Sequence, residues 1–335
     1  MPVTLKDVAE RAGVSRSAVS RTFTTGASVS DKTRRKVEKA ASELGYQPNA
    51  LASSLTTGRT KLIGLISNNF HNPRFLEVFD LFTRSLQDRG LRPLLVNLTD
   101  ETDPQSSLDL LRQYSVDGVI VASSTLSPEF SFAFQNARIP IVHSFGRFAS
   151  APRVHVVGID NVECGRMAAR TLIARGYDRI AFLGGPKAAT STIDRRKGFW
   201  EVMSGVSGIH VSESFAKAYS FDAGRAEMLR LMDKGDPAEA YFCGDDVLSV
   251  GALSAASERG FDVPRDIGII GLNDMDMARW QNINLTTIRQ PIRQIIDSSI
   301  ELVVAMLDEP GRLPEARLFA CEIVERGTLR PLPGA

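Results

Sequence analysis

Apolar runs of strand length alternate with amphipathic helical segments over most of this 335-residue chain. The alternation occurs twice. A first series begins at KLIGLI (61–66) and ends at IPIVHS (139–144), and a second extends from VHVVGID (154–160) to DIGIIGLND (266–274). Strands that alternate with helices form parallel sheets covered by helices. The pattern therefore predicts an α/β core of two lobes, each a parallel sheet flanked by helices.

Polar residues cluster where the predicted strands end. Because ligands of such sheets bind at the carboxyl ends of the strands, two facing lobes would bring these residues to one cleft. The sequence therefore predicts a small-molecule site between the lobes. The polar pairs are Asn68 and Asn69, Ser123 and Ser124, Asp160 and Asn161, Asp245 and Asp246, and Asn273 and Asp274.

The first sixty residues follow a different pattern, that of three short helices. Thr4 and Asp7 form a capping box at the first helix, and Gly13 ends it in a position suited to positive φ. Ser15 caps a second helix, and Ser30 caps a third. Two short helices joined by a turn, with a third packed on them, predict a helix-turn-helix unit. The predicted second and third helices are Arg16 to about Phe23 and a segment that ends at Leu44.

The second helix exposes polar and basic side chains, which predicts DNA binding. Arginine bonds bidentately to guanine, and serine pairs with bases or phosphate. Residues 1–60 carry a net charge of +5 and the rest of the chain −4, as in a polyanion-binding head on an acidic body. The alternative is a three-helix bundle that binds protein, with solvated arginines. The exposed positions are Arg16, Ser17, Ser20 and Arg21.

Two segments of the first sixty residues show a specific resemblance to a known family. VTLKDVAERAGVSRSAVSRTF (3–23) and VSDKTRRKVEKAASELGYQPNALASSLTTGRT (29–60) resemble the headpiece and hinge of the lactose-repressor family of bacterial regulators. The resemblance continues more loosely to the C-terminus. It departs at Thr24, where the family usually has Asn, which affects the local turn and one polar contact.

The resemblance implies how DNA is read. The second helix would lie in the major groove, with Arg16, Ser17 and Arg21 reading bases. Residues 49–60 would form a hinge helix that orders only on operator DNA and inserts Leu55 into the minor groove; the alternative is a plain linker. The residues that we expect to bind DNA are Thr4, Ser15, Arg16, Ser17, Ser20, Arg21, Asn49, Ala52 and Leu55.

The resemblance also implies an effector pocket in a periplasmic-binding-protein-like core. The alternative to effector binding is plain core packing for Phe75 and a solvated basic face for Arg195. Asp246 is expected to be structural, as a helix cap. If Arg74 also reaches the cleft, two arginines favour a carboxylate or phosphate on the ligand. The residues expected to bind the effector are Asn69, Phe75, Ser124, Arg195, Tyr219, Asp245 and Asn273.

Other classes of function lack their motifs. An enzyme that processes a sugar or nucleotide would need a nucleotide-binding, hydrolase or metalloprotease signature, and the chain has none of these. The four histidines are scattered, so we expect no catalytic residue, no metal and no cofactor. An exported sugar-binding protein would need a signal peptide, and the first residues are charged with no apolar run after them. No segment has the length of a membrane span. Three widely spaced cysteines fit reduced thiols in the cytoplasm.

The sequence therefore predicts a cytoplasmic, ligand-responsive regulator that represses genes of carbohydrate or sugar-acid metabolism. Its partners would be double-stranded operator DNA, a sugar, sugar acid or sugar phosphate, and a second copy of itself. The C-terminal ERGTLRPLPGA has no heptads, which favours a homodimer over a tetramer. We expect a headpiece at 1–48, a hinge at 49–60 and a core at 61–335, with lobes at about 61–159 with 290–319 and 160–289 with 320–332.

Overall fold

In a computed structural model, the chain divides into two compact units, residues 1–61 and 62–335. The structure describes residues 3–24, 26–48, 54, 58–68, 70, 72–98, 104–126, 128–235 and 237–334. We call residues 3–48 the headpiece and the described residues from 62 onward the core.

The headpiece has the three helices that the caps predict. The Thr4 hydroxyl accepts from the Asp7 N–H, and the Asp7 carboxylate accepts from the Thr4 N–H at 2.7 Å. Gly13 ends the first helix with φ 64°, a conformation that costs glycine little. Ser15 and Ser30 cap the next two helices. The helices are α1 (Leu5–Ala12), α2 (Arg16–Thr22) and α3 (Asp31–Leu44).

The headpiece core is small and draws on all three helices. Its buried apolar side chains follow the helical spacing seen in the sequence, and the Phe23 and Tyr46 rings pack beside it with centroids 5.8 Å apart. Burial of one face leaves the opposite face of each helix to solvent. The buried residues are Val8, Ala9, Val19, Val37, Ala40 and Ala41.

The first lobe of the core is built on a parallel sheet. Within the described part of the chain its strands are β1 (Leu62–Ser67), β2 (Arg92–Asn97), β3 (Gly118–Ala122), β4 (Ile141–Ser144), β5 (His155–Ile159) and β11 (Ala316–Phe319). Their order is β11-β5-β4-β3-β1-β2. All neighbouring pairs are parallel, so the carboxyl ends of the strands lie along one edge.

The second lobe repeats this plan. Its strands among the described residues are β6 (Arg179–Gly184), β7 (His210–Phe215), β8 (Ala240–Cys243), β9 (Gly268–Asn273), β10 (Thr286–Arg289) and β12 (Glu322–Val324), in the order β12-β10-β9-β8-β6-β7. Only the β10–β12 pair is antiparallel. The chain passes from one sheet to the other after Ile159, after Arg289 and after Phe319.

Helices cover both sheets, as the alternating pattern predicts. The first lobe carries α4 (Arg74–Asp88), α5 (Pro104–Gln113), α6 (Pro128–Asn136) and α11 (Ile292–Asp308). The second carries α7 (Asn161–Ile173), α8 (Thr190–Met203), α9 (Phe221–Met232), α10 (Asp246–Glu258) and a short 3₁₀ helix at Asp276–Arg279.

Helices α7 and α8 pack closely because glycine stands at their contact. A Cβ atom on Gly198 would overlap the carbonyl oxygen of Val162, and one on Gly165 would overlap the carbonyl oxygen of Arg195. Small residues permit this backbone approach, which holds the start of α7 against the turn of α8 that carries Arg195.

Candidate functional site

The second headpiece helix presents the predicted reading surface. Arg16, Ser17 and Arg21 are exposed, and Ser20 is partly exposed. Neither arginine forms an ion pair within the described part of the chain. The Ser15 hydroxyl caps the helix through the Ala18 N–H at 3.2 Å and lies 2.9 Å from the Ser17 hydroxyl. The two guanidinium groups are therefore available to a polyanion.

Two other headpiece residues are engaged locally. The Thr4 hydroxyl donates to the Asp7 carboxylate at 2.8 Å, and the Thr4 backbone N–H is the main cause of a lowered pKa at Asp7. Thr24, where the sequence departs from the family pattern, donates its hydroxyl to the Ser20 carbonyl at 2.9 Å. Thr24 thus satisfies a carbonyl in the last turn of α2 and keeps the helix end ordered.

A cavity lies between the two lobes at the carboxyl ends of their strands. With the lobes in contact, the free space within it is about 20 Å³. Six of the residues that the sequence assigns to the effector line it: Phe75, Ser124, Arg195, Tyr219, Asp245 and Asn273. The predicted residues Asn49, Ala52, Leu55 and Asn69 lie outside the described residues.

Asp245 is the centre of a buried hydrogen-bond network on the second lobe. Its carboxylate accepts from the Val247 N–H at 2.8 Å, from the Asn273 amide at 2.8 Å and from the Asn72 amide at 3.3 Å. Burial raises its pKa, while the Val247 N–H and the Arg195 and Arg74 charges act in the opposite direction. Gln290 in turn donates to the Asn273 side-chain oxygen Oδ1 at 2.7 Å, so the side-chain amide is oriented from both sides.

Arg195 and Tyr219 are both fixed by neighbours. Arg195 is buried and donates to the Asn161 side-chain oxygen at 2.8 Å and to the Gly244 carbonyl. Its position in the cavity excludes the alternative of a solvated basic face. The Tyr219 hydroxyl lies 2.7 Å from the Thr192 hydroxyl. A pre-positioned arginine and an aromatic ring suit a polar ring-shaped ligand.

The first lobe supplies the opposite wall. Phe75 is buried, belongs to the hydrophobic core and also lines the cavity. Arg74 reaches the cavity, which meets the condition stated from the sequence. Desolvation lowers the Arg74 pKa and Asp245 raises it. The Arg74 guanidinium lies over the Phe145 ring, 5.5 Å from the ring centroid.

Polar contacts join the two lobes around the cavity. The Ser124 carbonyl accepts from the Thr190 hydroxyl at 3.1 Å, and Asn72 reaches Asp245 across the cleft. Outside the cavity, Arg147 makes a bidentate pair with Asp194, at 2.6 Å and 3.0 Å. These contacts exist only while the lobes are close together.

Asp246 does not cap a helix, although that role was expected from the sequence. The cap of α10 is Asp245, whereas Asp246 is fully buried and accepts from the Met275 N–H at 2.8 Å and the Thr287 hydroxyl at 2.5 Å. Desolvation raises its pKa to about 7. Asp246 therefore joins strands β9 and β10 to α10, which is the expected structural role by another contact.

Several cavity residues were not assigned from the sequence. Asn161 could have been assigned to the cavity from the sequence, because it belongs to a polar pair at a strand end. Gln290 follows β10, a strand that was not predicted from the sequence, and Phe145 adopts φ 62° after β4. Asn72, Val78 and Ile159 also line the cavity and have no distinguishing motif.

Comparison with known proteins agrees with this arrangement. A family model for bacterial regulatory proteins of the lacI family matches residues 4–49, and one for a periplasmic binding protein-like domain matches residues 169–329. The HTH-type transcriptional repressor CytR of Escherichia coli (strain K12) is 30% identical over 333 residues, which cover 98% of this chain and 97% of CytR. The chain belongs to the LacI family. It is a ligand-responsive, DNA-binding transcriptional regulator and not an enzyme.

Solved structures of LacI-family relatives have the same fold. The lac repressor dimer bound to operator and the anti-inducer ONPF has a TM-score of 0.86 at 25% identity, covering 98% of this chain and 100% of that chain. The CelR–cellobiose complex has a TM-score of 0.71 at 27% identity, covering 97% of this chain and 99% of that chain. This LacI-family chain therefore has the predicted fold class.

Among the described residues, no helix combines the length and the apolar composition needed to cross a membrane. The same residues contain no group of three or more His, Cys, Asp or Glu side chains placed to hold a metal ion.

Proposed function

We propose that this cytoplasmic LacI-family regulator represses genes of carbohydrate or sugar-acid metabolism. A small molecule bound between the lobes would switch its affinity for operator DNA. The observation that carries the proposal is the interlobe cavity, in which Arg195, Asp245 and Asn273 from one lobe face Phe75 and Ser124 from the other.

The chemistry of the lining suits a sugar or a sugar derivative. Tyr219 and Phe75 offer aromatic surface for the C–H face of a sugar ring. Asp245 and Asn273 offer planar groups that bond to neighbouring hydroxyls. The solved CelR relative is a complex with cellobiose, which supports a sugar-class ligand.

For DNA recognition, we propose a homodimer whose two headpieces read the halves of a palindromic operator. Arg16, Ser17 and Arg21 would contact base edges in the major groove. The lac repressor relative is a dimer bound to operator, which supports this arrangement. Leu55, which lies outside the described residues, would enter the minor groove, so Leu55→Ala weakens operator binding and leaves effector affinity unchanged. Equal operator binding by that variant and the wild type would show that Leu55 does not insert into the minor groove.

Switching would use the contacts that join the lobes. Ligand in the cleft favours the closed arrangement, in which Asn72 meets Asp245 and Arg147 meets Asp194. Closure would rotate the first lobes of the dimer relative to each other and change the hinge spacing. The operator affinity would shift by a coupling free energy of about 1–3 kcal/mol.

The test measures thermal unfolding and operator binding together, against sugars, sugar acids and sugar phosphates. A ligand of the folded cleft raises the melting temperature. We expect Arg195→Ala to abolish that shift. Arg196→Ala is the matched control, because the neighbouring Arg196 is exposed and pairs with Glu213 outside the cavity. The same ligand should change operator affinity measured by fluorescence anisotropy. Equal ligand shifts in both variants would place the site elsewhere.

A further inference from the structure

Arg74 is a buried cation that forms no ion pair with a described residue. It is 7% exposed, lies in the first turn of α4 and lines the interlobe cavity. One terminal nitrogen reaches the Asn273 carbonyl at 3.5 Å, the limit of a hydrogen bond. The other, Nη2, is buried and has no hydrogen-bond partner among the described residues.

The remaining charges of the cavity do not neutralise Arg74. Arg195 bonds only to the neutral oxygens of Asn161 and Gly244. Asp245 is the cavity's one carboxylate within the described residues, and it accepts from three N–H groups. Neither arginine forms an ion pair with a described residue. Among the side chains that line the cavity, two guanidinium groups stand against one carboxylate, while Glu77 and Asp246 act on Arg74 from outside the lining.

A buried charge without a partner is costly, and a buried N–H donor without an acceptor adds to that cost. A bound anion removes both costs, because a carboxylate or phosphate oxygen accepts from Nη2 and its charge balances the guanidinium. The first-lobe wall is therefore built to receive an anion.

We propose that the effector carries a carboxylate or phosphate group that binds Arg74, so that the regulator responds to an acidic sugar derivative rather than to the neutral sugar. This rests on the proposed function, since it names the ligand class of the same cleft.

The first experiment measures melting temperature with gluconate, galacturonate, glucose 6-phosphate, glucose and galactose. We expect an acid to stabilise the wild type and its neutral parent to have no effect. Arg74→Gln should weaken binding of that acid about tenfold or more, and Arg74→Lys should recover part of it. A carboxylate that exceeds glucose 6-phosphate identifies a sugar acid, and the reverse order identifies a phosphate ester.

The second experiment needs no ligand. Arg74→Met should leave the melting temperature of the ligand-free protein unchanged or raise it, because it removes an unpaired buried charge. Arg175→Met is the matched control. Arg175 is equally buried, and its Nε also has no hydrogen-bond partner among the described residues, but its charge pairs with Glu325 at 2.5 Å and it bonds to the Thr171 carbonyl, so its replacement should lower the melting temperature.

Three results overturn the anion site. The first is that a neutral sugar stabilises the protein whether or not Arg74 is present. The second is that no anion of the panel stabilises the wild type. The third is that Arg74→Met lowers the stability of the ligand-free protein as much as Arg175→Met does. Operator binding separates this proposal from the switching proposal. An acid that stabilises the protein through Arg74 without changing operator affinity keeps the anion site and defeats the switch.

Discussion

The headpiece and the interlobe cavity hold their functional side chains in opposite ways. In the headpiece, Arg16 and Arg21 extend from a helix surface into solvent, and the contacts that order the helix come from neighbours in sequence. In the cavity, Arg195 and Asp245 are buried, and each has partners that are 2–173 residues away in the chain.

The difference teaches how the two regions tolerate change. A side chain on an exposed helix face can be exchanged without leaving a buried group unsatisfied, so base preference can be altered without loss of stability. Arg195 and Asp245 are parts of a buried hydrogen-bond network, so removal of either leaves a buried donor or acceptor without a partner at a cost of about 1–3 kcal/mol. Recognition and stability are separable in the headpiece and coupled in the core.

The strongest test of that coupling is Gly198→Ala. The added Cβ would overlap the Val162 carbonyl and force α7 and α8 apart, which displaces Arg195. We expect a loss of about 3 kcal/mol of unfolding free energy in urea denaturation, together with loss of ligand binding. Gly205→Ala is the control, since a Cβ there lies at an ordinary 3.6 Å from its nearest neighbour. Wild-type stability for Gly198→Ala would show that the helices can move apart freely.

The matching test in the headpiece is Arg16→Ala. We expect it to cost about 1–3 kcal/mol on operator DNA, to relax base preference at one position, and to leave the melting temperature unchanged. Selection of binding sequences from a random pool checks the preference. An unchanged preference would remove Arg16 from base reading.

The third test uses pH. Burial holds the folded pKa of Asp246 at about 7, above its ordinary value, so Asp246 takes up a proton on folding. Its contribution to stability is full below the ordinary pKa of 3.8 and is lost as pH rises from there through about 7. Wild-type stability should fall by about 1 kcal/mol between pH 6 and 7 relative to Asp246→Asn. Parallel pH profiles for the two proteins would mean that Asp246 titrates normally.

The smallest expected effect is that of Ser30→Ala. Ser30 caps α3 through the Thr33 N–H at 3.3 Å, so its loss should cost about 1 kcal/mol of headpiece stability. Base preference should stay as in the wild type, in contrast to Arg16→Ala. A changed preference would show that α3 sets the orientation of the reading helix.

Prediction from sequence succeeded where the determining contacts are local. The caps at Thr4, Ser15 and Ser30 and the turn at Gly13 depend on atoms three or four residues apart, so the headpiece helices follow from the sequence almost to the residue. The alternation of apolar runs likewise predicts the parallel sheets, because strands and helices each have a characteristic period. Strands β7, β10, β11 and β12 were missed because each mixes polar with apolar residues, whereas the equally short β8 is a continuous apolar run.

What the sequence by itself determined is therefore the class of the molecule: a helix-turn-helix headpiece, a two-lobed α/β core and a polar set at the strand ends. The tertiary structure alone decided which of those polar groups meet, that Asp245 rather than Asp246 caps α10, and that one Arg74 nitrogen has no partner among the described residues. The physical reason is distance along the chain. Helix caps and strand periods are local, whereas the balance of charge in a buried cavity depends on residues such as Arg74 and Asn273, 199 positions apart, which only the packed fold brings together.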